Sequence, residues 1–240
     1  AGVIDANADN AGIVYPGGNY RNPIYNYYVI TQRFDFAVSK TVTDYLSGIN
    51  DPRINAFGHT TQGFPYGLTR NDALAWQTLN PNFAFLYAFT NTPQTMPVYL
   101  VTAGQMYLAR AEAARLGWTS EVTATMYATG ITLEMNRWGI TNAGAIATYL
   151  AQPAVALGTN DAQKIAEQRW LSHFPDGNQG WAEWRRTGYP VLTPAPGSGK
   201  QVPRRIPYGP NEPLYNPTNY AAAAAGYSNN SQDAKVWWDK

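Results

Sequence analysis

Prolines and glycines partition this 240-residue chain, and the partition limits what it can fold into. Only the stretch from Pro97 to Gly188 carries repeated helix starts and stops; on either side, breakers crowd too closely for long regular elements. Thr102 followed by Gln105 fits a capping box, and Val101 with Met106 fits the accompanying hydrophobic staple, so a helix is expected from Ala103. It runs through Ala109 to Ala114, whose small side chains let a neighbouring helix approach, and stops at Gly117, a left-handed C-cap. A second helix is expected from Ser120 to Gly139, with Val122, Met126, Leu133 and Tyr127, Ile131, Trp138 at helical spacing. The short turn between the two requires antiparallel packing.

Thr141 or Asn142 caps a third helix to Ala151, which Pro153 ends. Asp161 caps a fourth, with Ile165, Ala166, Trp170 and Phe174 on its buried side. Pro175-Asp176-Gly177 turns the chain into a fifth helix, from about Asn178 to Arg186. Three regions follow: a loop-rich segment 1–97 in which only Ser39 to Ile49 reads as helical, a helical hairpin region 98–188, and an irregular tail 189–240. Prolines from Pro190 to Pro217 break the tail. Its aromatics Tyr189, Tyr208, Tyr215, Tyr220, Trp237 and Trp238 are expected to hold it on the helices. Succeeding capped helices predict a mostly α fold of stacked helix pairs.

Composition narrows the function. There is no cysteine, which excludes disulfides, thiolate chemistry and cysteine-based zinc sites. Seventeen basic and sixteen acidic side chains lie without runs, so no footprint for nucleic acid exists. No apolar stretch is long enough to span a bilayer, and Ala1-Gly2-Val3-Ile4-Asp5 does not begin a signal peptide. Charged residues are 14% of the chain, against about 25% in an average domain, and aromatics are also 14%.

The loop from Gly63 to Phe85 is the expected ligand contact. Phe64, Tyr66 and Trp76 supply flat rings, and Arg70, Asn71 and Asp72 supply planar donors and acceptors. Sugars present C–H groups on a ring face and hydroxyls at the rim, which this combination matches. Trp181 and Trp184 share a helix face and are assigned to packing. Arg204 and Arg205 are assigned to pairing with Glu212 or to capping carbonyls. Asp5, Asn7 and Asp9 are spaced as in a calcium loop, but Pro16 stands where the bidentate Glu belongs, so at most a looser calcium site remains. His59 and His173 lack partners at metal spacing, and no metal or cofactor is expected.

Ala111-Glu112-Ala113-Ala114 with Gly117-Trp118, Tyr149 to Pro153, Gly180 to Pro190, Pro203 to Tyr208, Asn216 with Asn219, and Trp237 to Lys240 occur in order. This set resembles the C-terminal half of SusD/RagB-like outer-membrane lipoproteins. Gln105 stands where the family carries a glutamate, a change a capping box tolerates. The resemblance implies tetratricopeptide-like helix pairs overlaid by long loops. It also implies a non-catalytic, surface-exposed nutrient-binding protein that passes oligosaccharides, or in some members peptides, to a TonB-dependent transporter barrel. Family members are longer and carry a signal peptide and a lipidated cysteine. The chain is therefore expected to be a C-terminal part, outward-facing and lipid-anchored through an N-terminal segment, with the remaining N-terminal half as partner. An all-helical glycoside hydrolase is the competing reading. It would need two carboxylates, and Asp176 with Glu183, or Asp72 with a distant acid, are the nominees.

Overall fold

The computed structural model describes residues 2–87 and 93–239; Ala1, and Lys240 of the closing motif, lie outside the described residues. In chain order the elements are β1 (Ala11–Ile13), α1 (Pro23–Tyr25), α2 (Lys40–Gly48), α3 (Ile54–Phe57), α4 (Arg70–Leu79), β2 (Val98–Val101), α5 (Ala103–Arg115), α6 (Thr123–Arg137), α7 (Ala143–Leu150), α8 (Asp161–Ser172), α9 (Gly177–Thr187), α10 (Glu212–Tyr215) and α11 (Pro217–Ala225). A π-helical turn, Asn26–Ile30, extends α1. The fold is mostly helical, with one small antiparallel sheet in which Ala11 pairs with Val101 and Ile13 with Val98.

Local chemistry starts α5 as expected. Thr102 Oγ1 accepts from Gln105 N at 3.2 Å while Gln105 Oε1 accepts from Thr102 N at 3.0 Å. Gly117 takes φ +74°, satisfying the last carbonyls without the steric cost a Cβ brings. α5 and α6 are antiparallel: Gly104 lies against Glu134 and Leu108 against Gly130, so numbers rise on one helix as they fall on the other. α8 packs on α5, and α9 on α8. The core runs through Leu108, Tyr127, Ile131, Met135, Tyr149 and Ile165. A second cluster joins Leu46, Ile54 and Phe57 to Leu171, with the Phe57 and Phe174 rings stacked at 4.0 Å.

Several boundaries differ from expectation. α6 begins at Thr123 rather than Ser120, with Val122 before it making no side-chain cap. α8 is preceded by left-handed Asn160; Asp161 is its first helical residue, and its Oδ1 accepts from Gly158 N at 2.7 Å. Asp176, from the turn, caps α9 by accepting from Asn178 and Gln179. The segment before Pro97 is less irregular than its breakers suggest, because it also holds α4, which Thr69 caps.

The tail holds α10 and α11, and arginines rather than rings alone fasten it. Arg185 lies over Trp181 and Trp238, at 3.6 and 4.6 Å from their centroids. Arg205 is gripped between Tyr208 and Tyr227 and donates to Asn230 Oδ1 at 2.9 Å. Arg204 pairs with Asp239, so neither arginine takes the expected Glu212. Tyr215 and Trp237 are 80% and 92% exposed and brace nothing, since guanidinium stacking takes over that role.

Candidate ligand-binding site

The site is built where residues 63–66 run beside the start of α2. Phe64 N donates to Val38 O and Lys40 N to Phe64 O, each at 2.8 Å. A Cβ on Gly63 would stand 2.6 Å from Lys40 N, so this approach needs glycine. It sets the Phe64 ring 5.1 Å from Tyr66, 5.2 Å from Trp76 and 5.3 Å from the buried Phe83. Tyr66 is 48% exposed, with its hydroxyl accepting from Ala37 N and donating to Ala37 O. The ring is therefore locked in place while one face stays open.

Trp76, half-buried, comes from α4 rather than from a loop. That helix divides the expected polar set. Asp72, one turn before Trp76, shares its face, whereas Arg70 and Asn71 project elsewhere. Asp72 also serves the helix, for its Oδ2 accepts from Thr69 Oγ1 at 2.7 Å. Phe64, Tyr66 and Trp76 are thus brought together, and Arg70 and Asn71 stand apart from them.

Two residues the sequence reading passed over lie next to the rings. Lys40 and Asp44, an exposed ion pair on α2, line a cavity of 370 Å³ with Trp76, Gln62 and Gly63. They also line a groove of 840 Å³ with Tyr66. Their i,i+4 spacing was the available signal. Such a pair contributes only about 0.3–0.5 kcal/mol, so its groups are available to a ligand at little cost.

The other nominated groups have structural work. Asp9 Oδ2 accepts from Ala6 N at 2.9 Å, Asp5 Oδ1 from Tyr107 at 2.7 Å, and Asn10 Oδ1 from Ala103 N at 2.7 Å. Asn7 Oδ1 accepts from Asn10 Nδ2 at 3.3 Å, so the oxygens of this loop serve different partners, and no acidic or histidine cluster suited to a metal occurs among the described residues. His59 Nδ1 accepts from Phe85 N at 2.9 Å, and its ring stacks on Phe85. Trp184 is buried, as assigned; Trp181 donates from Nε1 to Pro203 O at 2.7 Å. Burial works against ionisation of Glu183, but hydrogen bonds from Arg186 and Arg169 overrule it and hold the carboxyl below its ordinary range. Asp176 Oδ1 accepts from Asn178 N at the start of α9, and Asp72 Oδ2 from Thr69 Oγ1 at the start of α4.

A helical scaffold showing fixed aromatic faces beside hydrogen-bonding side chains has the make-up of a small-ligand site. The chain belongs to the SusD-like family described as starch-binding and associating with the outer membrane, whose model matches residues 1–209. Among solved structures it is similar to a SusD homolog from Bacteroides uniformis, at 23% identity and a TM-score of 0.77, over 100% of this chain and 57% of that one. It is also similar to a chitin-binding SusD homolog from Flavobacterium johnsoniae, at 25% identity and a TM-score of 0.74, over 100% and 56%. A SusD-like protein from Bacteroides thetaiotaomicron matches at 23% identity and a TM-score of 0.74, over 99% and 57%. The chain thus spans little more than half the length of these structures. No curated protein matches it. Among the described residues no helix is long and apolar enough to cross a membrane.

Proposed function

We propose that this protein binds a nutrient oligosaccharide on the outer face of the outer membrane, without altering its bonds, and passes it to a TonB-dependent transporter. The observation that carries this reading is the pair of open rings, Tyr66 and Trp76, held on Phe64 and Phe83 beside Asp72, Lys40 and Asp44. A sugar's C–H face stacks on such rings while its hydroxyls meet the polar rim. Family descent supports a carbohydrate, since the family is described as starch-binding and a relative as chitin-binding. Delivery to a transporter, and a lipid anchor on a preceding segment, follow from the family resemblance. Arg70 and Asn71 reach a ligand only if it extends over the outer surface of α4.

Isothermal titration with starch-type and chitin-type oligosaccharides, with peptide pools as competitors, tests this. Saturable sugar binding without release of new reducing ends is expected. Binding of peptide alone, or sugar turnover, would replace the reading.

A further inference from the structure

The shelf formed by Tyr66 and Trp76 does not end at its rings. Lys40 and Asp44 line both the Trp76 cavity and the 840 Å³ groove between α2 and the segment 191–203. Tyr66 stands on the groove's border, and Tyr45, one residue beyond Asp44, is another of its walls. Beyond it, Leu192 lines the groove together with a third, apolar cavity of 260 Å³ shaped by Trp170 and Trp181. Three concavities therefore lie side by side around α2, the first two sharing Lys40 and Asp44 and the last two sharing Leu192. A volume of this order belongs to sites that bury most of an organic ligand.

The segment forming the far wall is seated rather than loose. Its end is tied by Trp181 Nε1 donating to Pro203 O at 2.7 Å and by Arg185 Nη1 donating to Arg204 O at 3.0 Å. Its middle rests on the residue after Tyr66: a Cβ on Gly67 would come 2.3 Å from Ala195 Cβ, and Gly67 has φ +94°. Only glycine fits that contact. The wall of the groove and the edge of the shelf are thus one touching surface.

The chemistry on the walls selects the occupant. Among the described residues the side chains of Lys200, Gln201 and Gln232 line the groove and engage no partner of their own. A planar amide offers a donor and an acceptor together, which is what a sugar hydroxyl needs. A peptide strand would seek a row of backbone donors, but Pro194, Pro196 and Pro203 have none to give.

We propose that the ligand is an extended glycan that runs from Trp76 over Lys40 and Asp44 into the groove under residues 191–203, with Gln201 and Gln232 reading the units beyond the shelf. This rests on the carbohydrate reading of Tyr66 and Trp76 given above. The segment 191–203 is then the element that selects for chain length.

The test is calorimetry on the full chain with maltose against maltoheptaose and chitobiose against chitohexaose. In at least one pair the longer sugar is expected to bind roughly tenfold or more tightly, about what two added hydrogen bonds supply. The double variant Gln201→Ala, Gln232→Ala should bring the longer sugar down to the affinity of the shorter one and leave the shorter one unchanged. Gln201 is exposed and Gln232 half-buried, and an unchanged melting curve checks the fold. Equal affinity for short and long sugars, or a length advantage that survives the double variant, overturns the groove. Failure of the shelf looks different: Trp76→Ala then leaves both sugars' affinities intact while the glutamine variant still acts. No binding by any of the four sugars overturns both.

Discussion

Arg53 and Asp51 form an ion pair sealed inside the protein, with Nη2 2.5 Å from Oδ2 and side chains 1% and 0% exposed. Arg53 Nη2 also donates to Gln168 Oε1 at 2.7 Å, and the Tyr149 hydroxyl donates to Asp51 Oδ2 at 2.6 Å. The turn between α2 and α3 is thereby bolted to α7 and α8.

Removing one partner strands the other charge in the interior, which costs about 3–5 kcal/mol. Arg53→Met is expected to lower unfolding stability by that amount. Asp51→Asn combined with Arg53→Met should cost less than Arg53→Met alone, because no charge is left uncompensated. Urea denaturation of the three proteins measures this; a double variant less stable than the single one would show that the charge is not the issue.

A glycine decides how closely α5 and α6 approach. A Cβ on Gly130 would meet Leu108 Cγ at 2.8 Å and Gly104 O at 3.1 Å. Alanine improves helix propensity by about 0.8–1 kcal/mol, but overpacking a fitted interface costs about 1–3 kcal/mol. Gly130→Ala should therefore be neutral to about 2 kcal/mol destabilising. Adding Leu108→Ala, which empties the clashing volume, should make the alanine at 130 favourable relative to Leu108→Ala alone. A double-mutant cycle by thermal melts reads the sign.

Two rings in contact are expected to separate binding from folding. Trp76 and Phe83 lie 5.9 Å apart, but Trp76 keeps a face in solvent while Phe83 is 4% exposed. Phe83→Ala should cost about 3–5 kcal/mol of stability. Trp76→Ala should weaken oligosaccharide binding by about 1–3 kcal/mol and shift the melt far less. The reverse assignment, a collapsed melt for Trp76→Ala with affinity kept, would place that ring in the core.

These contrasts follow what local sequence encodes and what it does not. The Thr102–Gln105 box, the Gly117 stop, the Asn142 cap and the Asp176 turn were legible because each rests on chemistry within four residues of itself. α4 was not, for its only half-buried positions are Ala73 and Trp76 and no apolar stripe marks it. It is fixed by Trp76 docking on Phe64 and Phe83, which flank the helix in sequence but lie outside it. α11 was legible in principle, since alanine is the best helix former and Pro217 sits at a favoured first position, but the run reads equally as low complexity. Of the shelf, the ring types were visible in the sequence. The partition of Arg70 and Asn71 away from Trp76, and the company of Lys40 and Asp44, exist only once α2 and α4 are side by side.

His173 gives the fold an acid-side weakness. Its ring is half-buried at the end of α8, where Gln105 Nε2 lies 3.4 Å from Nδ1. Burial disfavours the imidazolium and lowers its pKa below the ordinary 6.5; Glu183, Asp176 and Glu134 pull the other way and Arg169 reinforces the lowering, with the net direction downward. The unfolded chain thus binds a proton at a higher pH than the folded one. Stability is intact above pH 6.5 and falls as the pH drops from there toward the folded pKa. Glu183, whose folded pKa is lowered from 4.5, adds its own loss only further down, where carboxylates titrate. Melting temperatures across this range should therefore slope downward below pH 6.5 for the native chain, and His173→Gln should flatten the upper part of the slope while leaving the carboxylate part. An identical slope in the variant would assign the acid sensitivity to carboxylates alone.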